Sequence, residues 1–217
     1  MNNTTSNTTS EPLSICRQAL QKNGFEVFLA ANPNEAKQIF FKQILPELKV
    51  TTAAWGDSQT LCSTGILEEL FDRSDIETIK TFEAGVDRGV LLQRRRQALL
   101  SDLFLAGSNA VTQTGRLVNL DMIGNRIAPV IFGAKKVVLL IGRNKIVSDL
   151  EQAMERIKTY AAPTNAQRHQ LKTPCAKTGR CHDCNSPDRI CNSWSIIDKC
   201  FPPKRIKVIL LNTDLGL

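Results

Sequence analysis

The feature that most constrains this chain is an alternation between short apolar runs and segments whose apolar residues recur at helical spacing. Val137-Val138-Leu139-Leu140-Ile141 is an unbroken apolar run of strand length, and Ile206 to Leu211 reads as the last strand. An unbroken run of that length fits a strand buried on both faces, as in a parallel sheet, better than one with a wet face. Strands are also expected at 26–29, 51–55, 76–82 and 102–106, with a short extended piece at 117–119.

Helices are expected between these runs. One covers 12–23, and another starts at Asn32-Pro33-Asn34-Glu35, where Asn caps, Pro suits the first turn and Glu follows three residues after the cap. Helices at 62–72 and 87–100 carry Leu91, Leu92 and Leu99 inward in the second case. A short helix is expected over 125–132. Ser148-x-x-Glu151 reads as a capping box in front of Leu150, Ala153, Met154, Ile157 and Ala161. The pattern predicts an α/β fold, a mostly parallel sheet with helices on both faces, and a Cys-rich insert (174–200) before the last strand. Residues 11–217 are expected to form one such domain, preceded by a polar, functionless tail at 1–10.

The N-terminus has neither a basic nor an apolar signal region, and no apolar run is long enough to span a bilayer, so a cytoplasmic protein is expected. Net charge is +7, but the basic residues are scattered rather than patched. Arg94-Arg95-Arg96 and Lys135-Lys136 read as solvated positions beside core elements. Tyr160 is the only tyrosine, and no aromatic-studded basic motif accompanies the charge, which argues against a nucleic-acid partner.

In open parallel sheets, ligands bind beyond the carboxyl ends of the strands. Small polar turns fall there: Trp55-Gly56-Asp57-Ser58, Gly107-Ser108-Asn109-Ala110-Val111-Thr112 and Gly142-Arg143-Asn144-Lys145. A fourth, Gly124-Asn125-Arg126, opens a helix. Glycine admits close approach of a ligand, and backbone N–H groups beside an arginine suit a carboxylate or phosphate. Taken singly, each turn is explained as chain reversal; only their convergence at one sheet edge points to a small-anion site. The standard nucleotide-binding glycine signatures are absent. Trp55 suits either a pocket wall or the core, and Cys16 and Cys62 read as small core residues. Phe40 reads as core with Phe41 as its partly exposed neighbour, and His169 reads as exposed.

These same turns carry a family resemblance. Gly107-Ser-Asn-Ala-Val-Thr-Gln-Thr-Gly115, Leu117-Val-Asn-Leu-Asp121, Gly124-Asn-Arg126, Ile131-Phe-Gly133, Lys135-Lys-Val137 and Gly142-Arg-Asn-Lys-Ile-Val147 resemble the central signature of the LUD-domain (lactate-utilisation) family. The resemblance implies a fold akin to the CoA-transferase and sugar-phosphate-isomerase superfamily. It also implies a link to oxidation of lactate or another small organic anion beside an iron–sulfur protein partner. Gly56, Ser58, Gly107, Asn109, Ala110, Asn119, Asp121, Gly124, Asn125, Arg126, Asn144 and Lys145 are the candidate ligand-binding residues. Gln113 stands where related sequences favour Glu. An amide does not titrate, so acid–base work at that position is excluded here. Asp121 is the nearest carboxylate, read first as a hydrogen-bond acceptor and second as a base.

Seven cysteines are present, five of them in the last fifth of the chain. Cys175, Cys181, Cys184 and Cys191 follow a C-x5-C-x2-C-x6-C spacing, with His182 as a substitute donor. Four thiolates can hold a zinc ion or an iron–sulfur cluster; the alternative is reduced, loop-borne thiols with Cys181 and Cys184 as a redox pair. Similar segments recur in one subgroup of the LUD family. Three functions are thus in view: binding of a small anion at the strand ends, a metal- or redox-responsive interaction protein working through 175–191, and an acyl- or CoA-transfer enzyme.

Overall fold

The computed structural model describes residues 11–217; the tail read at 1–10 lies outside the described residues. Its strands are β1 (Glu26–Ala30), β2 (Thr52–Trp55), β3 (Glu77–Ile79), β4 (Leu103–Gly107), β5 (Ala110–Thr112), β6 (Leu117–Asp121), β7 (Lys136–Gly142), β8 (Ile146–Val147), β9 (Ser193–Ile197) and β10 (Ile206–Leu211). Its helices are α1 (Glu11–Lys22), α2 (Pro33–Ile39), α3 (Gln59–Cys62), α4 (Ile66–Phe71), α5 (Arg88–Gln97), α6 (Leu150–Arg156), α7 (Ala162–Arg168) and α8 (Pro174–Thr178). No helix is long and apolar enough to cross a membrane among the described residues.

Six strands form one parallel sheet in the order β1-β10-β7-β4-β2-β3. The unbroken apolar runs have a direct cause. Val137, Leu139 and Ile141 of β7 pack on one face with Leu13, Cys16 and Leu20 of α1. Val138 and Leu140, their neighbours in sequence, pack on the other with Ala36 and Ile39 of α2 and with Leu61, Ile66 and Leu70. Successive side chains point to opposite faces, so a sheet covered on both sides needs apolar residues at every position.

A second, four-stranded sheet in the order β8-β5-β6-β9 was not expected from the sequence. It is mixed: β5–β6 and β6–β9 are antiparallel, β5–β8 parallel. Ala110, Val118 and Leu120 from this sheet pack against Ala153 of α6 and Ile157 just beyond it.

Helix starts obey local chemistry. Asn32 caps α2, accepting from Glu35 N at 3.0 Å, while Glu35 Oε2 reaches back to accept from Ala31 N at 2.6 Å. Several expectations need correction. The helix expected over 62–72 is two, broken at Gly65, whose φ is +68°. The cap of α6 is Asp149, which accepts from Gln152 N at 2.9 Å; Ser148 instead donates to Asp149 at 2.7 Å. Both residues have capping chemistry, and the carboxylate takes the position. No residue of α5 is fully buried: Leu91 and Leu92 are half-buried, and Ala98, not Leu99, enters the core. Cys16 is core, but Cys62, at the end of α3, is exposed. Trp55 is core, its ring 4.9 Å from that of Phe71. Phe40 is fully buried, and half-buried Phe41 meets it edge-on.

Candidate functional site

In the sheet order β2 is followed by β3 on one flank, whereas β4, on the other flank of β2, is followed by β7 in the opposite direction. The loops after β2 and β4 therefore part, and such a divergence leaves a crevice at the carboxyl ends of the strands. A cavity of ≈ 340 Å³ opens there. Its walls include Asp57 and Ser58 after β2, Gly107 at the end of β4 and Asn109 beyond it, Asp121 at the end of β6 and Arg126 beyond it, and Lys145 after β7.

Two glycines let these loops close together. A Cβ on Gly107 would sit 2.6 Å from Ser58 Oγ, and one on Gly56 would sit 2.8 Å from Arg126 Cγ. Ser58 caps α3, its hydroxyl accepting from Leu61 N at 3.2 Å. The Arg126 side chain lies across Gly56 and is fixed from several directions. Asp121 Oδ1 accepts from its Nε (2.9 Å) and Nη2 (2.7 Å), and Asp121 Oδ2 accepts from its backbone N (2.9 Å). Nη2 also donates to Asn109 Oδ1 at 2.6 Å and Leu120 O at 3.1 Å. Nη1 takes no partner among the described residues.

Lys145 is almost wholly buried, at 4% exposure. Its Nζ donates to Thr60 Oγ1 at 2.9 Å, and no carboxylate of the described residues pairs with it. Burial, followed by the charges of Arg156 and Arg126, pushes its pKa down to about 7. A cation without a counter-ion in a low-dielectric site favours either its own neutral form or an incoming anion.

The wall opposite was not anticipated. Asp57 Oδ2 pairs with Arg168 and lies 3.1 Å from His169 Nε2; Asn165 Oδ1 accepts from Arg168 Nε at 3.0 Å. All four residues line the cavity, as does Arg95, whose guanidinium stacks 4.6 Å from the Phe82 ring. Arg95 thus has a place in the site rather than on a solvated face. His169 is exposed as expected, yet it stands at the cavity rim. Asp57 lies in the strand-end turn Trp55-Gly56-Asp57-Ser58, but Asn165, Arg168, His169 and Arg95 carry no local sequence signal, because α7 and α5 reach the cavity only through the tertiary fold.

Of the twelve candidate ligand-binding residues, seven line the cavity: Ser58, Gly107, Asn109, Asp121, Asn125, Arg126 and Lys145. The other five stand behind it or to one side. Gly56 backs Arg126. Asn119 is buried and accepts from Asn109 N at 3.1 Å. Ala110 is buried in β5, and Gly124 forms the turn before Arg126 with φ +79°. Asn144 holds the last residues of the chain, accepting from Leu215 N and donating to Gly216 O, each at 3.1 Å. Gln113, at the far end of β5, donates its backbone N to Val147 O and does not line the cavity.

Cys175, Cys181, Cys184 and Cys191 are unpaired and half-buried. Burial raises the Cys191 thiol first; Arg189 opposes this, and the thiolates of Cys181, Cys184 and Cys175 raise it further. All three therefore stand within electrostatic reach of Cys191. The Asp183 backbone N donates to Cys181 Sγ at 3.4 Å, and Arg189 ties the carbonyls of Cys184 and Cys191 together at 2.6 and 3.1 Å. As placed, no group of three or more His, Cys, Asp or Glu among the described residues could hold a metal ion. His182 is not turned toward the sulfurs' role; its Nε2 bonds to Thr178 Oγ1 at 2.7 Å.

Comparison with known proteins agrees with this architecture. The family model described as the LUD domain matches residues 13–211. The crystal structure of a DUF162 family protein from Deinococcus radiodurans superposes with a TM-score of 0.52 at 10% identity, covering 94% of this chain and 98% of that one. At that identity the likeness is one of fold. No match is found among curated proteins.

Proposed function

The chain belongs to the LUD-domain family, and from that premise we propose that it binds a small organic anion of the lactate class in the cavity at the carboxyl ends of β2 and β4. The observation that carries this reading is Lys145, a buried amine without a carboxylate partner, facing the same space as the clamped Arg126. Asp121 and Asp57, the side-chain carboxylates that line the cavity, are each already paired with an arginine. An incoming carboxylate would meet Lys145 and the open Nη1 of Arg126, with Arg95 at the wall. Acyl or CoA transfer calls for a free carboxylate nucleophile, so those same pairings favour anion binding over it. A role in lactate utilisation beside an iron–sulfur partner fits this chemistry.

Calorimetric titration with lactate and with lactamide, its uncharged amide, tests the reading. Lactate is expected to bind, lactamide to bind far more weakly, and Lys145→Met to weaken lactate binding. Equal binding of acid and amide, or of wild type and Lys145→Met, would overturn it.

For the Cys-rich segment we propose a metal- or redox-responsive role, supported by four unpaired thiols, three of which act electrostatically on the fourth, Cys191. Binding a single ion would draw the sulfurs closer together than they stand. Alkylation of the reduced protein with and without added zinc tests it. Protection of those four thiols alone is the expected outcome, and unchanged labelling would count against it.

A further inference from the structure

We propose that Lys145 forms an imine with the carbonyl carbon of a 2-oxo acid bound in the cavity, so that the site handles a carbonyl acid covalently rather than only holding an anion. The proposal rests on the anion-site reading and adds a reaction to it.

The geometry supplies what such a lysine needs. Lys145 lines the cavity three residues beyond the end of β7, on a side chain with almost no solvent contact. Thr60 Oγ1 donates its hydrogen to Leu215 O at 3.0 Å and so offers a lone pair to Nζ, which lies 2.9 Å away. One N–H of Lys145 is thereby anchored, and the nitrogen is oriented by a neutral group. Gly216 packs on the far side; a Cβ there would stand 3.1 Å from Nζ. The charged groups acting on the amine are Arg156 on α6 and Arg126 after β6, both cationic. Together with burial they hold the amine in the range where much of it is neutral at physiological pH, as a nucleophilic lysine requires. Arg126 is placed to hold the acid's carboxylate while the adjacent carbonyl meets Nζ.

The step balances without an oxidant or reductant. The Nζ lone pair adds to the carbonyl carbon, giving a carbinolamine. That intermediate loses the former carbonyl oxygen as water while the C=N bond forms. Both hydrogens of the water come from the amine. Thr60 acts as a positioning residue.

Incubating the full chain with pyruvate and cyanoborohydride, then mapping the modified peptide by mass spectrometry, tests the proposal. The expected result is a reduced adduct at Lys145, absent with lactate in place of pyruvate, suppressed by excess lactate and lost in Lys145→Met. Thr60→Val is expected to slow adduct formation and to shift its pH profile while leaving the circular dichroism spectrum intact, and Thr60→Ser, which keeps the acceptor oxygen, to restore the rate; a merely structural role for Thr60 would move neither the pH profile nor the serine rescue. Calorimetric binding of pyruvate with no adduct, or with adducts scattered over surface lysines, would overturn the imine and leave anion binding standing. Absence of binding by either acid would overturn both.

Discussion

Asp121 accepts four hydrogen bonds, three from Arg126 and one from Ile127 N, so one carboxylate fixes both the backbone and the guanidinium of the residue that faces the cavity. Asp121 and Arg126 are 7% and 13% exposed at their side chains, and breaking one half of so buried a pair strands the other. Asp121→Ala is expected to cost about 3–5 kcal/mol in urea unfolding. Replacing both residues with leucine should cost less than the two single losses together. Additive costs would show that the pair acts as two independent residues.

Lys145 makes stability depend on pH in an unusual direction. Its folded pKa is about 7, below that of a lysine in an unfolded chain, so between these values the unfolded state binds more protons. Stability is expected to rise as pH increases from 7 toward 10. Lys145→Met should remove that rise, as read from urea midpoints across the range. The same equilibrium should weaken anion binding above pH 7, where the amine loses its charge.

Asp102 works in the opposite sense. Lys135 Nζ donates to its Oδ1 at 2.7 Å; Thr51 Oγ1 and the backbone N of Thr51 and Thr52 donate to its Oδ2 at 2.7, 2.9 and 3.1 Å. Lys135 first, then these Thr51 and Thr52 donors, hold the carboxyl well below the usual range. A depressed carboxylate stabilises the fold above its unfolded pKa, and that contribution fades as pH falls from about 4 through its folded value. Asp102→Asn should flatten the acid limb of the stability curve while changing little at pH 8 relative to pH 6. An unchanged acid limb would refute the assignment.

The contact between β4 and the α3 cap is tight enough to test by a single methyl. Gly107→Ala would put a carbon 2.6 Å from Ser58 Oγ and 3.4 Å from Leu140 O. The displaced serine loses its capping bond, for an expected loss of about 1–3 kcal/mol in unfolding experiments. Adding Ser58→Ala to Gly107→Ala removes the clashing oxygen and should recover part of that loss.

How far the sequence discloses this fold depends on how local each cause is. The apolar run of β7 declares a two-faced sheet because each of its residues meets a core, and Asn32 declares a helix start because its cap lies three residues away. The second sheet was hidden because β5 and β8 are three and two residues long and pair across more than thirty positions. The strand-end turns indicated one side of the cavity, since parallel strands all end at one edge. Asp57 fell within one of those turns, but its partners Arg168 and His169 were not read as site residues because they reach Asp57 across more than a hundred residues. Even on the marked side, Asn119 and Ala110 brace the wall instead of lining it; periodicity places a residue on a strand but not at a cavity.

The position of β10 bears on how the molecule is made. It lies between β1 and β7, in register with both, although some 180 residues of chain separate it from β1. During synthesis β1 emerges early, and its slot beside β7 stays vacant until residues 206–211 leave the ribosome. A nascent chain stalled before that point would display Val27 and Leu139 with no neighbouring strand between them, an invitation to chaperones or to aggregation.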